Sequence, residues 1–117
     1  MAYKRTDRVN VLLRHELQQL IQHELKDPRI GFATVTGVET SPDLRHARVF
    51  VSVLGSAEES DASLQALDEA RAFLRHELAA RTELRYVPEL SFRRDTSIEQ
   101  ATRISALLRQ SQERASE

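Results

Sequence analysis

Histidine followed directly by glutamate occurs three times, at His15-Glu16, His23-Glu24 and His76-Glu77. On a helix, such a pair is half of a zinc-protease signature: a second histidine four residues after the first completes the metal site and the glutamate serves as base. The positions in question hold Gln19, Asp27 and Ala80, so the signature fails. His15 and His23 lie eight apart with Gln19 between them on the same helical face, which is too few ligands for a site. The absence of cysteine removes disulfides, thiolate metal sites and thiol nucleophiles together. Gly31, Gly37 and Gly55 are too scattered for a phosphate loop, and no serine sits in a nucleophile elbow. No catalytic residue, cofactor or metal is expected, and the chain reads as a non-enzyme.

Binding chemistry is better represented. Lys and Arg total 17 against 18 Asp and Glu, a net charge of −1, yet all the bases but Lys4 and Lys26 are arginine. The planar fork of arginine suits phosphate and stacks on bases. The charges are unevenly spread: residues 1–54 hold eight bases and six acids, residues 55–79 two and six, and residues 80–117 seven and six. Candidate phosphate contacts are Lys4, Arg5 and Arg8 near the start of the first helix, Arg29 in the turn after it, and Arg45 and Arg48 in a hairpin. Arg71 and Arg75 follow on one face of the second helix, with Arg81 and Arg85 beyond it. Such contacts give salt-dependent affinity without reading base sequence. Among the six aromatics, Phe32, Phe73 and Phe92 fit core positions, and Phe50 and Tyr86 are the candidates for exposed rings that stack.

These residues need a scaffold, and 117 residues of 13.4 kDa provide one domain's worth. Val9, Leu13, Leu17, Leu20, Ile21 and Leu25 form a helical stripe over Thr6–Lys26, stopped by Asp27-Pro28. The runs Phe32–Thr40 and His46–Leu54 read as an antiparallel hairpin around Ser41-Pro42-Asp43. The acids at Glu58, Glu59 and Asp61 suit the start of a second helix running to about Arg81 along Leu64, Leu67, Ala70, Leu74 and Leu78. A last strand, Tyr86–Arg94, points Leu90 and Phe92 inward, with Pro88 at an edge or entry position. Thr96-Ser97 caps a final helix with the stripe Ile98, Ala101, Ile104, Leu107 and Leu108. The domain is expected to end at residue 109, with 110–117 a frayed polar tail.

The fold class is α+β: a three-stranded mixed sheet in the order α-β-β-α-β-α, with helices packed on one face because the apolar residues are too few to bury two. The crossover permits the third strand to lie parallel to the first, on the side away from the second. No apolar run approaches the ~20 residues of a membrane span. The charged N-terminus shows no signal peptide, which gives a cytoplasmic expectation. The pentapeptide LRHEL recurs at Leu13–Leu17 and Leu74–Leu78 without matching flanks, so it marks no repeat.

The run DPRIGFATVTGVETSPDLRHARVFVSVLG, Asp27 to Gly55, followed by VPELSFRRDTSIEQATRISALL, Val87 to Leu108, resembles bacterial ribosome-binding factor A over about residues 4–109. The resemblance implies a single type II KH-like domain with a kinked second helix. It implies a non-catalytic assembly factor on the small ribosomal subunit, acting late in maturation, supporting processing of the 16S rRNA 5′ end, and mattering for growth in the cold. The partners would be 16S rRNA and neighbouring ribosomal proteins, with no membrane or small-molecule ligand and a monomeric free state. KH modules ordinarily clamp nucleic acid with a GxxG loop, which the family replaces by an Ala-x-Gly kink. The matching positions here are Ala70, Arg71 and Ala72, without the glycine, and Ala101 also stands where the family commonly has glycine. On the residues alone two other readings stay open: a free-standing KH-type RNA-binding module, and a protein-interaction module with no RNA target.

Overall fold

Apolar residues at three- and four-residue steps fold Arg5–His23 into α1, which buries Val9, Leu13, Leu17, Leu20 and Ile21. The computed structural model describes residues 5–115, with side chains for all of these except residues 98, 99, 114 and 115. The helix ends three residues short of Lys26. The Leu25 N–H reaches back to the Leu20 carbonyl at 3.1 Å, closing the last turn and returning Leu25 to the core margin. The remaining elements are β1 (Ala33–Thr40), β2 (His46–Val53), α2 (Ala57–Glu69), α3 (Arg71–Arg81), β3 (Glu89–Arg94) and α4 (Ser97–Ala115).

β1 and β2 pair antiparallel, with a bulge that leaves Thr36 unopposed between Val35 and Gly37. The extra residue resets the alternation, so Val35 and Val38, three apart, both reach the core. β2 is central: Ala47, Val49 and Val51 are buried beneath α1, α2 and α3, which share one face of the sheet. β3 runs parallel to β2, giving the order β1-β2-β3. This corrects the expected placement of the third strand beside the first. The outer edge of β1 is already satisfied by α1: Val35 N–H donates to Gln18 Oε1 at 2.6 Å, and Thr40 N–H to Asn10 Oδ1 at 2.9 Å. A strand arriving there would find those donors taken, whereas the far edge of β2 offers an open ladder.

Ser56 starts α2 through a capping box with Glu59: the Glu59 N–H donates to Ser56 Oγ at 3.1 Å, and the Glu59 carboxylate accepts in return. α3 buries Leu74 and Leu78 and is closed by Thr82, whose hydroxyl donates to the Leu78 carbonyl at 2.7 Å.

Two aromatic assignments and one helix differ from the sequence-based expectation. Phe32 precedes β1 at a point where α1 has already ended, so nothing covers it and it is 81% exposed. Phe73 is a flank of the Ala70, Leu74, Leu78 stripe and is also exposed. α4 begins after Thr96, whose carbonyl accepts the Gln100 N–H at 2.9 Å, with Asp95 accepting the Ser97 N–H at 2.9 Å, and it continues to Ala115, past the end of its apolar stripe. Ala101, Ile104, Leu107 and Leu108 stay exposed, and the Ile98 side chain lies outside the described residues. The helix, about 28 Å long at 1.5 Å per residue, extends a molecule of 62 × 42 × 19 Å. Among the described residues no helix is long and apolar enough to cross a membrane.

Candidate nucleic-acid interface

The β1–β2 connection makes a tight knot. Ser41 Oγ donates to Asp43 Oδ1 at 2.6 Å, the Arg45 N–H donates to the same oxygen at 3.1 Å, and the His46 N–H donates to Ser41 Oγ at 3.1 Å. The Ser41 hydroxyl, followed by the Arg45 N–H, holds the Asp43 carboxyl below its ordinary value. These bonds keep Leu44 at φ +61°, a left-handed conformation that costs a branched residue on the order of 1 kcal/mol or more. The knot projects Arg45 toward the start of α1 and the loop before β3. There a cleft of about 350 Å³ is lined by Arg5, Val9, Leu44, Arg45, Arg85 and Tyr86, with Asp43 and Leu84 completing the wall.

Three arginines from three separate segments thus meet at one end of the molecule, beside a tyrosine ring that is 52% exposed. Arg5, Arg45 and Arg85 are exposed and make no ion pair among the described residues. Of the residues lining the cleft Asp43 alone opposes them, so the cleft is net positive. Arg8, one turn along α1, is likewise exposed and makes no ion pair among the described residues. Lys4 lies outside the described residues.

The five other candidate arginines are engaged within the fold. Arg29 donates to Asp27 at 2.7 Å and to Glu69 at 2.5 Å, tying the α1–β1 connection to the end of α2. Its own pKa is raised by Asp27 first and Glu69 second, and it lowers those of both carboxyls in return. Arg81 pairs with Glu24 at 3.2 Å and with Glu77 at 3.7 Å. Arg48 meets Glu39 across the hairpin at 3.0 Å. Arg71 binds Asp68 through both the carbonyl and the carboxylate. Arg75 donates from Nη2 to the Val87 carbonyl at 2.9 Å, pinning α3 to the loop that leads into β3, while its buried Nε has no partner among the described residues.

Ala70 sits at the break between α2 and α3 with φ −88° and ψ 4°. Its N–H is shared between the Ala66 and Leu67 carbonyls, and its own carbonyl accepts the Leu74 N–H at 2.9 Å. The chain therefore passes from α2 to α3 at one residue whose own N–H and carbonyl both stay hydrogen-bonded. Arg71, Ala72 and Arg75 line a shallow 260 Å³ hollow beside the break, facing Glu89 and Leu90 of β3.

Sequence reasoning omitted Arg93, exposed on β3 opposite Phe50 of β2 and next to the Arg48 position. The signal was its alternation with the inward Phe92. Among the described residues no three His, Asp or Glu side chains gather as a metal site would require.

A model of the family described as ribosome-binding factor A matches residues 5–108, nearly the whole chain. The chain belongs to the ribosome-binding factor A family. The ribosome-binding factor A of Thermomicrobium roseum is 50% identical over 113 residues, covering 97% of this chain and 88% of that protein. The crystal structure of ribosome-binding factor A from Thermus thermophilus superposes with a TM-score of 0.69 at 31% identity, over 76% of this chain and 93% of that one. A homology model of the Thermus factor, fitted into a cryo-EM map of its complex with the 30S subunit, gives a TM-score of 0.63 at 32% identity, over 74% and 91% of the two chains. The type II KH-like α+β architecture of the family, with its mixed three-stranded sheet, is the one described above.

Proposed function

We propose that this chain is a non-catalytic assembly factor that binds the immature small ribosomal subunit in the cytoplasm and acts late in its maturation. It supports processing of the 16S rRNA 5′ end, matters most for growth in the cold, and is monomeric when free. The observation that carries this reading is the likeness to the Thermus factor fitted into a 30S complex, which extends over three quarters of the chain. The arginine cleft of Arg5, Arg45 and Arg85, with Arg8 alongside, supplies the phosphate contacts, and Tyr86 stacks on an unpaired base. Arg29, Arg48, Arg71, Arg75 and Arg81 contribute through the shape they hold, since each is bonded within the fold. A protein of net charge −1 makes weak contact with bulk RNA, which a factor that must leave the ribosome requires.

The test is sedimentation of the tagged protein with cell extract. It is expected with free small subunits and absent from complete ribosomes. Recovery wholly in light, particle-free fractions from cells stalled in subunit biogenesis would refute the reading. Tight binding to a short single-stranded oligonucleotide alone would favour a free-standing RNA-binding module instead.

A further inference from the structure

At the end of the sheet opposite the arginine cleft, Phe32 is 81% exposed and Leu54 is 75% exposed. The Leu54 N–H donates to the Phe32 carbonyl at 3.1 Å, so the two side chains are held together as a last rung beyond the paired Ala33 and Val53. Large apolar side chains left open in company, rather than singly, mark an interaction surface. Each opens on its own hollow. One of 300 Å³ beside Phe32 has the apolar walls Ile21, Leu25, Ile30 and Ala33 and no charged lining residue. The other, of 230 Å³ beside Leu54, runs to Glu59 and Ala62 at the start of α2.

The electrostatics of this end select the occupant. From Leu54 to Ala70 there are five carboxylates and no Lys or Arg. Glu58 and Asp61 are exposed and make no ion pair among the described residues. The rim arginine, Arg29, is already held by Asp27 and Glu69. Lys26, in the connection before Phe32, leaves the balance negative. A phosphate backbone is repelled by such a field, whereas a lysine- or arginine-bearing polypeptide is drawn to it.

We infer that the Phe32–Leu54 surface seats a basic protein segment, one of whose apolar side chains enters between the two residues while its cations face the acids of α2. The inference rests on the small-subunit reading and adds a protein contact to it. The length of β1, roughly 25 Å at about 3.3 Å per residue, separates this seat from the arginine cleft. One molecule thereby reaches RNA with one end and protein with the other.

The experiment measures binding of purified small subunits, and of protein-free 16S rRNA, to four proteins. These are the unaltered chain, Phe32→Ser/Leu54→Ser, Glu58→Lys/Asp61→Lys, and Arg5→Glu/Arg45→Glu/Arg85→Glu. The apolar double variant is expected to lose about tenfold or more in affinity for subunits and nothing for bare rRNA, as removal of paired anchors does. The acid-to-lysine variant is expected to weaken subunit binding in the same way, most strongly at low salt. The arginine variant is expected to lose affinity for both. Both apolar residues are exposed, so an unchanged thermal midpoint verifies folding. An equal loss on bare rRNA would make Phe32 and Leu54 a base-stacking surface and overturn the inference. So would unchanged subunit binding by both patch variants while the arginine variant fails, which leaves the small-subunit reading intact. If the unaltered chain binds neither particle nor rRNA, both fall.

Discussion

Gln18 of α1 closes the outer edge of β1 by accepting the Val35 N–H at 2.6 Å, and its amide nitrogen reaches the Ala33 carbonyl at 3.4 Å. One side chain thus does for the edge what a further strand would have done. Gln18→Leu strands the Val35 donor and is expected to lower stability by about 1–3 kcal/mol in urea denaturation. Gln18→Glu, which keeps the acceptor, is expected to recover part of it. Equal stability of all three proteins would mean that water replaces the bond.

The carboxyls of Asp27, Asp43, Glu69 and Asp95 all titrate below their ordinary values, held down by Arg29, by Ser41, again by Arg29, and by the Thr36 hydroxyl. A carboxyl whose folded pKa is depressed binds its proton more readily when unfolded. Its stabilisation is therefore present above the unfolded pKa and lost as the pH falls through the folded one. Stability is expected to decline below about pH 4.5, the ordinary glutamate value, and Asp27→Asn/Glu69→Gln should flatten that acid limb. A variant with the same acid limb as the parent would show that the Arg29 clamp adds nothing.

Ala72 lies in the first turn of α3, just past the break at Ala70. Glycine there frees a helical backbone that alanine restrains, so Ala72→Gly is expected to cost about 0.5–1 kcal/mol. Chemical denaturation measures it, and a gain in stability would mean that the alanine is strained where it stands.

Arg5, Arg45 and Arg85 line the cleft without ion-pair partners among the described residues. Replacing all three by glutamine is expected to weaken subunit binding and to make log affinity less steep in log salt by up to about three units. Arg81→Gln, whose charge is spent on Glu24 and Glu77, should change that slope far less. Identical slopes would place the phosphate contacts elsewhere.

How much of this was legible in the residues depends on distance along the chain. The leucines at 13, 17 and 20, the Ala47, Val49, Val51 alternation and the acids Glu58 and Glu59 in the first turn of α2 are local patterns, and they fold as expected. Pro88, placed at an edge or entry, does precede the edge strand β3. The position of that strand was not legible, because it turns on α1 side chains 17 and 30 residues away in sequence from the donors they satisfy. The bulge at Thr36 left one local trace, the glycine at 37 inside a strand pattern, which sequence reasoning did not use. For the arginines the limit is sharper. Arg29 meets Glu69 across 40 residues and Arg81 meets Glu24 across 57, so composition could nominate both as phosphate ligands while only the folded chain reveals that each is committed. The cleft of Arg5, Arg45 and Arg85 joins segments 40 residues apart for the same reason.

Among its described residues α4 buries no side chain, and this divides the molecule by cooperativity. A body whose helices share a core opens as a unit, whereas a nineteen-residue helix with no buried side chain among its described residues leans on its own coil equilibrium, marginal at that length. Amide protons of α4 should therefore exchange with solvent orders of magnitude faster than those of β2. A partner that ordered α4 would have to offset the entropy of that ordering, which weakens any attachment made through it.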